Sequence, residues 1–170
     1  LTDSSAASDV YKRQLFTLLA LTISFSMNAQ MSDNSSGTSA IGPNAVAMGY
    51  QSTASGIRST AMGDGTTASG SASTAMGNNT TASGSASTAM GYLTTASGSI
   101  STAMGEGTTA IGSRSTAMGY GTVASDYAST VIGQYNSSGS SATSATSFST
   151  SAPAFVIGNG TSGSLSDAFK

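Results

Sequence analysis

From Ser39 to Asn136 the chain repeats a seven-residue pattern of small apolar, variable and glycine positions without one insertion. The second position of the fourteen heptads is Ala in all but one, where Val131 stands. The fourth is Gly except at Asp126, and the seventh is Ser or Thr except at Ala45 and Asn136, the two ends. The third position runs Ile41, Met48, Ser55, Met62, Ser69, Met76, Ser83, Met90, Ser97, Met104, Ile111, Met118, Ser125, Ile132. Large apolar side chains therefore alternate with Ser, and the unit is fourteen residues carrying two dissimilar strands.

A period of seven invites a coiled coil, which needs large apolar residues at two positions and helix formers between them. Here every heptad but one holds a Gly, with several Ser or Thr, and both oppose helix. Collagen needs Gly at every third residue, not every seventh. What remains is a short strand, Thr-Ala-Met, ending in a Gly turn followed by two variable residues. Two such strands make one coil of a parallel β-solenoid, and seven coils at about 4.8 Å give a rod about 34 Å long.

Strand alternation places the second-position Ala on one side and the first and third positions on the other. A narrow coil accepts only a small inward residue, so Ala is assigned inward. Met48, Met62, Met76, Met90, Met104, Met118 and Ile132 then line one outer face. Thr53 with Ser55, Thr67 with Ser69, Thr81 with Ser83 and Thr95 with Ser97 line the other. The reverse assignment, Met inward and Ala outward, stays open at this level. An exposed strip of seven large apolar residues marks an interface, and an Ala-lined core is too thin to stabilise a lone stack. Both point to copies of the chain packing their Met faces around a common axis.

Composition narrows the function. Only 7% of the 170 residues are charged, the net charge is −2, and His, Cys and Trp are absent. Arg58, Arg114 and Lys170 are the only basic residues after the first thirty, which excludes a nucleic-acid-binding surface. Lys12 and Arg13 precede an apolar run, Leu15 to Met27, and small residues follow, the arrangement of a secretory signal peptide with cleavage expected after Ala29. The sequence thus divides into 1–14, a non-native linker; 15–29, the signal peptide; 30–38, a lead-in; and 39–136, the repeats. Residues 137–153 read as a Ser/Thr/Ala-rich linker and 154–170 as the start of a further, truncated domain.

The run Ser59-Thr60-Ala61-Met62-Gly63 and its copies resemble the Hep/Hag repeat in the heads of YadA-like trimeric autotransporter adhesins. The resemblance covers about 98 of 170 residues. It implies an all-β, left-handed parallel β-roll of 14-residue coils, forming an obligate homotrimer at the bacterial cell surface or outer membrane. It also implies cell adhesion, through host matrix protein or other cells, and a part in virulence. Neck, coiled-coil stalk and β-barrel anchor are not recognisable, so any membrane attachment is expected through a missing C-terminal anchor.

No catalytic, metal or cofactor residues are expected. Gly158-x-Gly160-x-x-Gly163 matches a dinucleotide fingerprint formally, but neither a following helix nor the acidic partner is present, so a turn between strands is expected. Asp33, Asp64, Glu106, Asp126 and Asp167 are widely spaced, and without His or Cys neither a nucleophile–base pair nor a zinc site can be assembled. Asn34, Asn79 and Asn136 open glycosylation-type triplets, with no use expected in a bacterial protein.

In the Met heptads the fifth position is Tyr50, Asp64, Asn78, Tyr92, Glu106, Tyr120 and Gln134, expected to stack along a corner outside the strands. Tyr supplies large contact area at small entropic cost. Tyr50, Tyr92, Tyr120, Tyr127 and Tyr135, with Arg58 and Arg114, are the candidate ligand contacts, and repetition on three chains would add avidity. Two other functions compete. Outward Thr/Ser ladders resemble the flat faces of ice-binding solenoids, and a ligand-free fibre or spacer needs no site at all.

Overall fold

The computed structural model describes residues 37–139 and 142–170, together with 31–32 and positions 12 and 14. The expected linker 1–14 and signal peptide 15–29 otherwise lie outside the described residues, as do most of the lead-in and Ser140–Ser141.

Two sheets run the length of the repeats. The first takes its strands in the order Met31–Ser32, Val46–Tyr50, Thr60–Asp64, Thr74–Asn78, Thr88–Tyr92, Thr102–Glu106, Thr116–Tyr120 and Thr130–Gln134. It ends with Phe155–Asn159 and Asp167–Phe169. The second holds seven two-residue strands, Ser39–Ala40, Thr53–Ala54, Thr67–Ala68, Thr81–Ala82, Thr95–Ala96, Thr109–Ala110 and Val123–Ala124. Pairing within the repeats is parallel, with each residue opposite its equivalent one coil on: Met62 opposite Met76, Gly63 opposite Gly77, Thr81 opposite Thr95. The chain is a β-solenoid of about seven 14-residue coils.

The Ala row lies inside. Ala47, Ala54, Ala61 and their equivalents to Ala124, with Val131, are fully buried. The sequence reading assigned only this row inward, yet the seventh position is buried as well. Ser52, Ser59, Thr66, Ser73 and their equivalents have at most 1% of their surface exposed. Each coil therefore closes on two Ala, one Ser and one Thr in most of the stack. Ser59 and Ser73 donate their hydroxyls to the carbonyls of Gly56 and Gly70, each at 2.7 Å, which ties the corner to itself. Thr66 donates to the Ser52 hydroxyl of the preceding coil at 2.8 Å. The hydroxyls of Thr80, Thr94, Thr108 and Thr122 are buried without a partner, a cost an apolar core would not carry.

The corners differ from expectation. Pairing in the long strands does not stop at Gly; it runs on to the fifth residue, Tyr50 opposite Asp64 and Glu106 opposite Tyr120. The reversal sits one residue later. All fourteen sixth positions have left-handed backbone, eleven of them without Gly, including Arg58 at φ 57°, Ala72 at 55° and Ile100 at 61°. From Arg58 on, that geometry turns each sixth-position N–H toward the fifth-position carbonyl of the coil before, as from Ala72 to Ile57 at 2.8 Å. The corners are thus hydrogen-bonded from coil to coil as the strands are.

The fourth-position Gly answers to close approach more than to turning. A Cβ on Gly84, whose φ is not positive, would stand 2.0 Å from the Gly98 carbonyl oxygen of the next coil. On Gly77, at φ +120°, it would stand 2.0 Å from that of Gly91. Coils stack this tightly only if both ladders lack side chains.

The far end is covered by the chain's own continuation. Residues 137–153, read above as a linker, place Gly139, Ser144 and Ala145 carbonyls on the amides of Ser125, Tyr127 and Ser113, at 2.7–2.9 Å. The segment 154–170, given above to a further domain, adds to the long-strand sheet. Phe155–Asn159 pairs in parallel register with Thr130–Gln134, and Val156 is buried opposite Val131.

Candidate functional site

Because the second position is sealed inside, the third must face out, and the structure places the Met row there. Met48, Met76, Met90, Met104, Met118 and Ile132 are half-buried by one another, and Met62 is 37% exposed. In-register pairing sets each side chain directly on the next. The outcome is one continuous apolar strip along the outer face of the long-strand sheet. On the short-strand sheet the first-position Thr residues are half-buried and Ser55, Ser69, Ser83 and Ser97 are exposed. Ile41 and Ile111 replace Ser in that row and are 62% and 42% exposed.

The seven candidate contact residues do not converge. Tyr50, Tyr92 and Tyr120 lie along the corner at the end of the long strands, separated by Asp64 and Asn78 and by Glu106. Asn78 reaches back to the Asp64 carboxylate at 3.3 Å. Tyr135 occupies the sixth position of the last coil on the same corner, and its ring meets Tyr120 edge-on with centroids 4.9 Å apart. Gly121 makes this possible, since a Cβ there would stand 2.4 Å from the Tyr135 ring. The hydrogen bond with Tyr135, then the charges of Tyr135 and Glu106, raise the Tyr120 phenol above its ordinary pKa.

Arg58, Arg114 and Tyr127 lie on the other corner, at the turn after the short strands. Arg114 donates to the Tyr127 hydroxyl at 2.9 Å and holds its guanidinium 5.2 Å from the ring centroid, a cation–π contact. Arg58 is four coils away in the same ladder. The geometry therefore offers two contacting pairs, Tyr120 with Tyr135 and Arg114 with Tyr127, and leaves Tyr50, Tyr92 and Arg58 apart from them.

Gly158 lies within the strand Phe155–Asn159, and Gly160 and Gly163 lie between it and the antiparallel Asp167–Phe169, with a bridge from Thr161 to Ser164. Among the described residues no group of three His, Cys, Asp or Glu is placed to hold a metal. Sequence reasoning missed the residues that close the stack. Asp126, buried, accepts the amides of Thr143 and Ser144 at 2.6 and 2.7 Å through one carboxylate oxygen. Asp167 accepts from the Ser137 and Ser138 amides and the Ser137 hydroxyl. Asp126 was visible in the sequence as the one departure from Gly at its heptad position.

Among protein families, the model of the YadA head domain repeat matches residues 40–66, 68–94, 91–115 and 110–136. No curated protein matches the chain.

Proposed function

Because the chain belongs to the YadA head family, an adhesin-type, trimer-forming structural fold, we propose that it is the head of a trimeric bacterial surface adhesin. Three chains pack their Met48-to-Ile132 rows around a common axis and present the remaining faces to host matrix proteins or other cells. The observation that carries this reading is the outward, unbroken Met row. An Ala, Ser and Thr core leaves that strip as a continuous apolar face along the rod, and burying it between copies removes it from water. The Tyr and Arg groups on the two corners stay outside such an axis and occur once per chain, so each weak contact is tripled. Export across the inner membrane and display at the cell surface follow from the same reading.

Solution mass measured by sedimentation, together with adhesion to matrix-coated surfaces, tests the proposal. A trimer that adheres supports it, and a stable monomer ends it. A second reading, ice binding, draws on the in-register Thr and Ser rows of the short-strand sheet, although Ile41, Ile111 and Val123 interrupt them. Thermal hysteresis without adhesion would favour it. Absence of both activities in a trimer would favour a plain spacer.

A further inference from the structure

The outer apolar row does not stop at Ile132. Register between Thr130–Gln134 and Phe155–Asn159 puts Ile157 in the Met/Ile row and Phe155 in the row that Val46 opens and Thr holds from Thr60 to Thr130. The next strand, antiparallel, sets Phe169 opposite Ile157, and residues opposed in such a pair share a face of the sheet. The Phe155 and Phe169 rings lie 6.1 Å apart, and these residues are 40% and 57% exposed. Val156 between them is fully buried, so the alternation of the repeats is kept. The Asp167 carboxylate is turned to Ser137 and Ser138. Gln134 adds a hydrogen bond to the Gly160 carbonyl at 2.9 Å. The hairpin is thereby fixed to the last coil, with its apolar face level with the Met strip.

We infer that Phe155, Ile157 and Phe169 form the terminal layer of the contact between copies, each hairpin meeting the hairpins of its sister chains. This rests on the trimeric reading above. Two observations and a symmetry argument select a second copy of this chain as the occupant. The patch continues in register the row that the trimer buries. First and third positions of the long strands carry no charge from Val46 to Ile157, so a charged partner finds nothing to pair with. In a cyclic assembly whose axis follows the rod, residues of equal height meet, so Phe meets Phe as Met meets Met. Aromatic rings replace Thr where the stack ends, giving the last layer more apolar area than any single coil supplies.

The chain has no cysteine, so single Cys substitutions report proximity directly. Phe169→Cys, Met104→Cys and Ser71→Cys are made separately in the full chain and oxidised mildly. Phe169→Cys and Met104→Cys are expected to give disulfide-linked dimers at least tenfold above Ser71→Cys, which lies on the opposite corner. Cross-linking by Met104→Cys without Phe169→Cys overturns the inference and leaves the trimer standing. Cross-linking by neither, with a monomer mass, overturns both. The double variant Phe155→Ser/Phe169→Ser is expected to raise the concentration at which the trimer dissociates at least tenfold. An unchanged dissociation concentration, with the β-rich circular dichroism retained, would also sink the inference.

Discussion

The side-chain amide of Asn136 stands in for a strand against Val123. Its Oδ1 accepts the Val123 amide at 2.8 Å, and its Nδ2 donates to the Val123 carbonyl at 2.9 Å. In every earlier coil the first-position amide of the short strand is met by a seventh-position backbone carbonyl of the next coil, as Thr95 is by Thr108 at 2.9 Å. Among the described residues no eighth short strand follows Val123–Ala124 in the sheet, and the seventh residue of the last heptad supplies the partner from its side chain. Asn136→Ala should leave both Val123 groups unsatisfied and cost about 1–3 kcal/mol. Urea unfolding of wild type and variant measures it, and an unchanged midpoint would show that the mimicry contributes nothing.

Glycine positions should separate by what faces them. Gly77→Ala places a methyl 2.0 Å from a neighbouring backbone oxygen, so coils must part, at a cost of about 3 kcal/mol or more. Gly107→Ala meets nothing closer than 3.9 Å and bears only the left-handed strain at φ +61°, about 1 kcal/mol. Melting temperatures should fall in that order. Equal losses would contradict the stacking account.

Ala72 and Ala86 hold left-handed backbone at φ 55° and 53°, on exposed corners. That conformation costs an L-residue about 1–2 kcal/mol, and glycine's extra chain entropy returns about 0.5–1 of it. Ala72→Gly and Ala86→Gly are each expected to stabilise the head slightly, by about 0.5 kcal/mol, read as a rise in the denaturation midpoint. A fall would mean that the hydrogen-bonded corner imposes no strain on alanine.

Acid should loosen the end of the rod first. Burial raises the pKa of the Asp167 carboxyl, but hydrogen bonds from Ser138 and Ser137 outweigh it and hold the group below its ordinary value. A carboxyl depressed in the folded state stabilises above its unfolded pKa, about 3.9, and loses that contribution as pH falls through the folded value. Protection of the Ser137 and Ser138 amides, taken as exchange relative to the free chain and followed from pH 6 down to pH 2, is expected to fall below about pH 4. Asp167→Asn should exchange fast at every pH, and a flat wild-type profile would refute the clamp.

Much of the fold is legible in the sequence because the repeat is strict. An Ala at every second position can satisfy only a narrow interior, and alternation then sends Met62 and its equivalents outward. The buried Ser/Thr rows escaped notice because hydroxyls are also common on surfaces, and nothing in Ser73 or Thr80 alone tells an inward corner from an outward one. Tyr50 and its equivalents were expected beyond the strands because Gly was read as a turn, whereas Gly63 and Gly77 leave room for the neighbouring coil. The end-closing contacts are non-local: Asp167 reaches Ser137 across thirty residues, which no periodicity encodes. Asp126, Val131 and Asn136 signal that end only as broken repeats.

Each coil touches its neighbours alone, and both closures belong to the terminal coils. Excision of fourteen residues, such as 74–87, would rejoin identical edges and shorten the reach of the head by about 4.8 Å with its ends intact. Slippage of the repetitive coding sequence can therefore lengthen or trim the rod in whole steps, without inventing a new core.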